Sequence, residues 1–482
     1  MMVRMSLIYM LGRYGASAIT LIALSLYTRL ATPQEYGVFA LVMALATALY
    51  SGFGQWLRHI LLRFSNADMK GGSPLPSLVL QTFLVICSVL ALALFVFTPF
   101  LNTRTYQAVG LALMLLTAMG CFELALAWLQ LQLQPAFYGG LSMLRTGLAA
   151  LFGVLALYLG YGAIGLVMTT FLAYASAAVP VFIRTGFGLG QARTPLFDIK
   201  PMLAYGLPLA ISAALGSALV LADRAIIASM ISTEAAGLYA APYDLAMRTL
   251  QVLMLAINLA GTPLIIRAFE SGDSAQTELL LGRQWLLLMS AGYPVMLAMM
   301  LMPQGISAIL LGPSFREAGA DLMPIVAAAT FLQGLESFYF SFAFALAKKP
   351  IRQTAILFVA MIVNIGLTIW LVPILGIRGG AWATLASAIL ALLGSFIIGF
   401  ELMRLPLTLG PLLRVALAGC PMAVVIIWIA PHTPAETLLA GLLSCGAYAI
   451  ALLAFDVAGS RQIAVRILRT RYFQSRSVGE LS

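Results

Sequence analysis

The chain has 482 residues, of which 62% are hydrophobic and only 9% are charged, and its mean hydropathy is +1.00. Soluble domains hold about 45–50% apolar and about 25% charged residues, so this composition excludes a soluble globular protein and predicts a polytopic membrane protein. The formal net charge of +10 does not indicate nucleic-acid binding, because most basic residues lie where anionic inner-leaflet lipids would attract them.

Apolar stretches follow one another along almost the whole chain. A membrane-spanning helix needs roughly 20 predominantly apolar residues, and short polar, Gly or Pro breaks separate 14 such stretches. The sequence therefore predicts an all-α polytopic membrane protein with about 14 transmembrane helices. The predicted spans are 8–30, 36–56, 78–101, 107–130, 140–160, 162–183, 205–228, 237–262, 283–303, 321–345, 353–374, 379–402, 410–430 and 434–455.

The distribution of Lys and Arg predicts the orientation. Cytoplasmic loops retain positive charge during insertion. With the N-terminus inside, the inner loops and tails hold 19 of the 27 Lys and Arg residues and the outer loops hold four. Both termini are therefore predicted to be cytoplasmic.

A Gly-containing polar segment, TGFGLGQARTPLFDIKP at 185–201, looks like a connector between two halves. Segments on its two sides are similar: TPQEYGVFA at 32–40 with STEAAGLYA at 232–240, and LGYGAIGLVMTT at 159–170 with LGIRGGAWAT at 375–384. These matches predict two six-helix repeats in parallel orientation, with helices 13 and 14 appended, an arrangement found in secondary transporters. The predicted units are an N-terminal lobe (1–184), a cytoplasmic connector (185–204), a C-terminal lobe (205–402), accessory helices 13 and 14 (403–455) and a basic cytoplasmic tail (456–482).

Ionisable residues lie inside the predicted spans, and eight of them are candidates for a functional role. At a helix centre such residues cost on the order of 2.5–3.5 kcal/mol each, so by default they face a cavity or a partner and suggest function. Arg13 and Arg145 are predicted roughly 8 Å below the inner surface, where they either line a vestibule or extend to the headgroups. The eight are Arg13, Glu123, Arg145, Asp223, Arg224, Asp244, Arg248 and Glu336.

The acidic members leave alternatives open. Asp244 and Arg248 are four residues apart on one helix face and can pair, either as a structural ion pair or as a coupling element. Glu123 is predicted to be protonated or paired across helices. Glu336 lies in QGLESFYFSF, whose aromatic residues suit either stacking on a sugar or filling the core.

Two stretches outside the spans are amphipathic. In WLRHILLRF at 56–64, Trp56, Ile60 and Phe64 share one helical face, which predicts a helix in the cytoplasmic interface, and the Arg-rich tail mixes Arg with apolar residues in the same way. The four cysteines are far apart within predicted helices, and the two histidines stand alone, so we predict no disulfide, no metal site and no catalytic residue.

Several segments resemble the polysaccharide-exporter or O-antigen flippase family, a branch of the multidrug/oligosaccharidyl-lipid/polysaccharide exporter superfamily. The likeness runs from about residue 8 to 402 and is carried by RLATPQEYGVFAL (29–41), YGLPL (205–209), ADRAIIASMISTEAAGLYAAPY (222–243), LLGPSFREAG (310–319) and VNIGLTIWLVPILGIRGGAWATLAS (363–387). The resemblance implies two six-helix lobes around a central cavity, which would open alternately to the two sides of the membrane. The implied substrate is a polyprenyl-diphosphate-linked oligosaccharide, flipped outward across a bacterial inner membrane. The family pattern carries its Asp-Arg pair onto Asp223 and Arg224.

The working hypothesis is therefore a flippase for surface polysaccharide biosynthesis, which is not an enzyme and needs no cofactor. Its predicted partners are the bilayer, the lipid-linked glycan, and the polymerase and chain-length machinery. Substrate binding is assigned to Arg13, Arg145, Arg224 and Arg248, and coupling to H⁺ or Na⁺ to Asp223, Asp244, Glu336 and Glu123. The alternatives are an organic-cation antiporter on the same fold and, more remotely, a membrane glycosyltransferase or glycan polymerase.

Overall fold

The computed structural model describes residues 2–64, 75–185, 199–407, 409–431 and 433–457, and within these ranges it contains helices and no strand. Every predicted span coincides with a helix, which confirms the all-α prediction. The helices are α1 (Met2–Leu30), α2 (Pro33–Phe53), α3 (Gln55–Phe64), α4 (Leu75–Val96), α5 (Thr103–Leu131), α6 (Pro135–Tyr158), α7 (Gly162–Thr185), α8 (Ile199–Met230), α9 (Thr233–Glu270), α10 (Ser274–Leu301), α11 (Pro303–Leu310), α12 (Arg316–Leu335), α13 (Ser341–Leu346), α14 (Pro350–Leu375), α15 (Ile377–Leu402), α16 (Leu409–Ile429) and α17 (Pro434–Ala454).

Thirteen segments of the described chain are long and apolar enough to cross a membrane. One of these segments, Pro313–Leu346, contains more than one helix. In it, α12 and α13 are joined by a π-helical segment, Glu336–Phe340. A further apolar helical stretch, Gly15–Leu30 in α1, is shorter. Much of the predicted connector and the basic tail after Val457 lie outside the described residues, so the predicted unit boundaries remain predictions.

Local sequence signals explain where the helices begin. Thr32 starts α2 with a capping box: its hydroxyl accepts the backbone N–H of Glu35 at 3.2 Å, and the Glu35 carboxylate accepts the N–H of Thr32 at 2.8 Å. The similar sequence TPAE starts α17 through Thr433 and Glu436. These reciprocal bonds satisfy two N–H groups that a helix end otherwise leaves unpaired.

The short helix α3 confirms the amphipathic prediction but buries a different face from the predicted one. Leu57, Ile60 and Leu61 are buried, whereas Trp56 and Phe64 are half-buried. The α3 helix packs on α5 and on the start of α8, so its apolar face contacts protein. The buried face of α3 is shifted from the predicted face by about one residue. The reason is that α3 packs against two helices, and their positions decide which of its side chains are buried.

The N-terminal half (α1–α7) and the C-terminal half (α8–α15) meet most closely where α1 turns into α2 and α8 turns into α9, called here the α1–α2 end. A Cβ atom on Gly37 would collide with the carbonyl oxygen of Thr233, and one on Gly237 would collide with that of Pro33. The two positions that the sequence comparison matched therefore face each other across a backbone-to-backbone crossing of α2 and α9. Only glycine permits this approach.

A second set of contacts joins the halves at the same end. The Thr28 hydroxyl accepts the N–H of Gly312 at 3.0 Å, and the Arg29 guanidinium donates to the carbonyl of Ile309 at 2.7 Å. A continuous apolar core runs through this region, from α1 and α2 to α9 and α12. The α1–α2 end of the molecule is thus closed.

Helices α16 and α17 form an appended pair. Their apolar core, which includes Met422, Ile426 and Tyr448, packs on α10 and the residues around Met302. The Tyr448 hydroxyl donates to the carbonyl of Ser290 at 3.1 Å. They lie outside the cavity described next, in keeping with the predicted accessory position.

Candidate functional site

A cavity of about 880 Å³ lies between α2 of the N-terminal half and α8, α9, α14 and α15 of the C-terminal half, with the π segment in its wall. Its lining is mainly apolar. Neutral polar side chains also line it, namely Thr47, Ser51, Gln55, Ser217, Gln251, Gln333, Ser337 and Ser387. Among the described side chains, the charged ones in its wall are Arg224, Asp244, Arg248 and Glu336.

Arg224 and Asp244 form a buried ion pair at the wall. Their closest nitrogen and oxygen atoms are 2.5 Å apart, and Arg224 is only 4% exposed. The same guanidinium donates to the carbonyl of Ala40 on α2 at 3.2 Å, and the Tyr36 hydroxyl donates to the Asp244 carboxylate at 2.9 Å. The pair therefore joins α8 and α9 to α2, across the boundary between the two halves.

The predicted pairing of Asp244 with Arg248 is wrong. Both residues are on α9, but the Asp244 carboxylate turns to Arg224 and Tyr36. No acidic side chain of the described chain lies within 4.0 Å of Arg248, which is half-buried and faces the cavity. Arg248 therefore keeps its positive charge available to a ligand.

Asp223 lies behind the wall in a cage of neutral oxygen-bearing side chains. Its carboxylate accepts bonds from Thr384 at 2.7 Å, Thr368 at 3.0 Å and Tyr239 at 3.2 Å. Asp223 is 2% exposed and has no basic partner among the described residues. A buried carboxylate is costly unless it is hydrogen-bonded, and here three hydroxyl groups supply those bonds.

Asn364 completes the cage around Asp223. It is fully buried, its side chain interacts with the Asp223 carboxylate, and its Oδ1 atom has no hydrogen-bond partner in the described structure. Its Nδ2 atom is 3.5 Å from the hydroxyl oxygen of Ser387, which lines the cavity. Asn364 thus adds an unsatisfied buried acceptor to the polar groups around Asp223.

Glu336 opens the π segment and is, with Asp223, one of the two buried acids without a basic partner in the described C-terminal half. Its carboxylate accepts from Gln353 of α14 at 3.0 Å, Ser395 of α15 at 3.0 Å and its neighbour Ser337 at 3.2 Å. It is 3% exposed but contributes to the cavity wall.

The aromatic residues after Glu336 divide between the two uses that the sequence left open. Tyr339 and Phe340 are buried in the core, where both rings pack on Trp285 with centroids 4.7 and 5.9 Å away. Phe338 instead lines the cavity. A π turn inserts one extra residue into the helix, and such insertions are frequent at functional sites.

Three residues of the predicted site lie elsewhere or outside the description. Arg145 stacks on Tyr174, with its guanidinium carbon 4.6 Å from the ring centroid, and donates to Thr146 at 2.8 Å. Glu123 pairs with Arg58 at 3.8 Å. Neither is among the described cavity-lining residues, so Arg145 is separate from Arg224 and Arg248, and its predicted role in substrate binding stays a prediction. The side chain of Arg13 lies outside the described residues.

Sequence reasoning missed the neutral partners of the acids. Asn364 and Thr368 are spaced i, i+4 on α14, and Thr384 and Ser387 are spaced i, i+3 on α15. Polar residues at such spacing inside apolar helices indicate one polar face, and this was the available signal. Nothing local marks Tyr36 or Gln353, because their partners are distant in sequence.

The fold defines the class of protein, a polytopic helical membrane protein with a charged cavity between its two halves. Among solved structures, the chain is similar to lipid II flippase MurJ in an inward closed conformation, with a TM-score of 0.72, 13% identity, and coverage of 93% of this chain and 99% of that chain. It is also similar to the MATE multidrug transporter DinF-BH, with a TM-score of 0.57, 16% identity, and coverage of 83% and 94%. It is also similar to an outward-facing MATE family transporter of the MOP superfamily, with a TM-score of 0.55, 16% identity, and coverage of 83% of this chain and 94% of that chain.

A family profile narrows the class. The profile described as "Polysaccharide biosynthesis protein" matches residues 26–320, and the chain belongs to that family. No curated protein sequence matches it. The structural likenesses, at their low identities, show that the chain shares its fold with these proteins, as the sequence resemblance implied.

Proposed function

We propose that this protein is a flippase that moves a polyprenyl-diphosphate-linked oligosaccharide from the cytoplasmic to the outer face of a bacterial inner membrane for surface polysaccharide biosynthesis. Membership of the polysaccharide biosynthesis family supports the substrate class. The polyprenyl tail can stay in lipid throughout. Only the charged diphosphate and the hydrated glycan need a polar path, and a cavity between two halves supplies one.

The charge of the cavity wall is the observation that carries this proposal. Arg224 and Asp244 neutralise each other, and Glu336 is held by three neutral donors. Glu336 has no basic partner but is only 3% exposed, whereas Arg248 is half-buried, faces the cavity and is the positive charge without an acidic partner among the described wall residues. A guanidinium binds phosphate through charge-assisted and often bidentate hydrogen bonds, so the wall suits a diphosphate better than an organic cation.

The neutral polar residues of the wall suit the glycan. Gln55, Gln251 and Gln333 each carry both a donor and an acceptor, and Ser51 and Ser217 are hydroxyls at the same wall. Sugar hydroxyls need such mixed partners. The hydroxyls of Ser51 on α2 and Ser217 on α8 are 2.7 Å apart, so a glycan would replace a bond that now connects the two halves.

The transport test is a flipping assay in proteoliposomes with Arg248→Gln and, as a matched control, Arg283→Gln, an exposed arginine on α10. Hydrogen bonds to charged groups contribute about 1.5–3 kcal/mol, so we expect Arg248→Gln to lower the initial rate by about tenfold or more. The control should retain the wild-type rate. Equal rates in all three proteins would contradict a diphosphate role for Arg248.

A cellular experiment tests the substrate class. Deleting the gene should cause cytoplasm-facing lipid-linked glycan to accumulate and surface polysaccharide to fall. The organic-cation alternative predicts the opposite pattern: uptake of a cationic dye by reconstituted protein, with lipid-linked glycan unchanged. The MATE-like fold makes that alternative worth measuring directly.

Transport is proposed to be coupled to a monovalent cation, H⁺ or Na⁺, at Asp223. The carboxylate, the Thr368 and Thr384 hydroxyls and the orphaned Asn364 Oδ1 form an oxygen-rich site, and hard cations prefer oxygen ligands. Asp223 is on α8, whereas Thr368 and Thr384 are on α14 and α15, so occupancy would change how these helices pack.

Ion binding can be measured without the lipid substrate. Radioactive Na⁺ should bind the purified full chain and be lost in Asp223→Asn, with Glu401→Gln, an exposed acid on α15, as the control. If the wild-type protein binds no Na⁺, the flipping rate should instead depend on pH and lose that dependence in Asp223→Asn. An Asp223→Asn protein with unchanged dependence on both ions would exclude this site.

The orientation with both termini in the cytoplasm, and the association with polymerase and chain-length machinery, are part of the same proposal. In this orientation the closed α1–α2 end faces outward. Reporter fusions at the two termini would check the orientation, and co-purification with the polymerase would check the association.

A further inference from the structure

Two buried carboxylates of the C-terminal half lie along the same pair of helices. The Asp223 cage uses Thr368 and Thr384, and the Glu336 cluster uses Gln353 and Ser395. On α14 the two sites are 15 residues apart, or roughly 22 Å at about 1.5 Å per residue. The Glu336 site is thus too far from Asp223 to share one ion with it.

The hydrogen-bond partners of Glu336 differ from those of Asp223. Asp223 is surrounded by hydroxyls that can turn their oxygens towards a cation, next to an orphaned amide oxygen. Glu336 instead receives an amide N–H₂ from Gln353 as well as two serine hydroxyls. Three donors occupy much of the accepting capacity of a charged carboxylate, and they do not form a set of oxygen ligands for a metal ion. The ligand that Glu336 can still gain is therefore one proton.

We propose that Glu336 is a second ion-binding site of the transporter, specific for a proton, which it takes from the cavity, and that its protonation loosens α14 from the π segment. This inference rests on the proposed transport function for its purpose, but not for the binding event itself. The proton adds to one carboxylate oxygen and no other covalent bond changes.

The chemistry of the three donors gives the structural consequence. A protonated Glu336 must donate one hydrogen bond and loses one acceptor position. The hydroxyls of Ser337 and Ser395 can rotate to accept, whereas the Gln353 N–H₂ group can only donate. With the side-chain amide of Gln353 in this orientation, its hydrogen bond to Glu336 is therefore the one that weakens. Gln353 is in the first turn of α14, so the change reaches the attachment of that helix.

The surrounding charges would not mask this titration. The charged groups that share the cavity with Glu336 are Arg224 and Asp244, which neutralise each other, and Arg248. The Tyr339 hydroxyl, on the same π segment, donates to the carbonyl of Pro406 at 2.8 Å, and Tyr243 faces the cavity from α9. On the other packed elements, α10 presents Trp285 to this segment, α13 has no ionisable residue, and Arg352 of α14 and Glu401 of α15 are exposed.

The cavity also connects the two acids. Ser387 lines it and is bonded to Asn364 of the Asp223 cage, and Ala388 and Ala391 line it on the way to Ser395. Glu336 itself lines it. A proton released from Glu336 therefore enters the space bordered by the Asp223 cage, which would let the two sites be loaded in sequence.

Infrared difference spectroscopy of the purified full chain tests proton binding without any lipid substrate. Lowering the pH should produce the C=O stretching band of a buried protonated carboxyl group. One component of the band should be lost in Glu336→Gln and should persist in Asp223→Asn, where any contribution of Asp223 is removed, and in the exposed control Glu401→Gln. An unchanged band in Glu336→Gln, or no band in the wild-type protein over the pH range where it stays folded, would overturn the proposal.

A second variant keeps the test valid if Glu336→Gln fails to fold. Ser395→Ala retains the acid but removes one donor, so the carbonyl band should move to higher frequency; a band that does not move would contradict the assignment. In flipping assays, the ratio of wild-type rates at two pH values should differ from one, and Glu336→Gln should bring it close to one. Because the infrared result needs no glycan, failure of the substrate assignment and failure of this inference are distinguishable.

Discussion

The two halves of the molecule use their intramembrane charges in different ways. In the N-terminal half, Arg58 pairs with Glu123 and Arg145 stacks on aromatic rings, within a bundle core that the cavity does not reach. In the C-terminal half, Arg224, Asp244, Arg248 and Glu336 all border the cavity. The segment that completes the wall, from Phe39 on α2 to Gln55 at the start of α3, contributes only neutral residues.

This difference shows that depth in the membrane does not by itself identify a transport residue. A charge can be retained because it fastens helices within one half, or because it faces the ligand path. The distinction lies in the partners: those of Arg145 are in its own half, whereas those of Arg224 extend to Ala40 of the other half. The proposed function is therefore asymmetric, with the chemistry in α8–α15 and a neutral surface opposite.

The largest expected effect comes from breaking the central ion pair. Asp244→Asn leaves the Arg224 guanidinium buried without a counter-charge, and removing one partner of a buried pair costs about 3–5 kcal/mol. The free energy of unfolding in detergent should fall accordingly. In the N-terminal half, Glu123→Gln disrupts a longer and more exposed contact, so its loss should stay below about 1 kcal/mol.

A double variant separates stability from transport in the same pair. Replacing both residues, as Arg224→Met with Asp244→Leu, removes the unpaired charge and should recover much of the lost unfolding free energy. Flipping should not recover, because the bond from Arg224 to α2 is gone. Equal losses in Asp244→Asn and Glu123→Gln would remove the proposed contrast between the halves.

The next effect concerns the crossing that joins the halves. In Gly237→Ala the new methyl group meets the Pro33 carbonyl, and such overpacking costs about 1–3 kcal/mol. The cost falls on the conformation with a closed α1–α2 end, so the population should move towards an opening there. A cysteine at the cavity position Thr47 should then react faster with an impermeant maleimide added from that side.

Gly366→Ala provides the control for this prediction, because a Cβ atom at Gly366 meets no neighbouring atom. In Gly366→Ala, a cysteine introduced at Thr47 should react with the maleimide at the same rate as in the protein that carries Thr47→Cys alone. The reciprocal change, Gly37→Ala, should act like Gly237→Ala, and the double variant should show less than the sum, since both methyl groups disturb one contact. Unchanged labelling in Gly237→Ala would show that this crossing does not set the conformational equilibrium.

Much of the fold could be predicted from the sequence because each membrane helix carries its own signal. Apolar length located the spans, and the TPQE and TPAE sequences mark the capping boxes of α2 and α17. The repeat of Gly37 at Gly237 was visible as a sequence match. That these two glycines touch was not, because a contact between distant helices has no local pattern.

The site was harder to predict for the same reason. The ionisable residues were found by their cost in an apolar helix, but their partners depend on which helices are neighbours. Asp244 was assigned to Arg248 by the i, i+4 rule, and the packing of α8 on α9 gave it to Arg224 instead. The neutral cages of Asp223 and Glu336 involve α14 and α15, whose relation to α8 and α12 is purely tertiary.

The smallest expected effect on transport tests the role of Arg145 directly. Its guanidinium lies over Tyr174 and, at 5.7 Å, over Phe122, and cation–π contacts contribute about 0.5–2 kcal/mol. Arg145→Gln should therefore lower the unfolding free energy by about that amount while the flipping rate stays within about twofold of wild type. Arg145→Lys, which keeps the charge, should recover part of the stability. A rate loss in Arg145→Gln as large as that of Arg248→Gln would place the N-terminal half in the ligand path after all, since the stacked position would then be one of two that Arg145 occupies during the cycle.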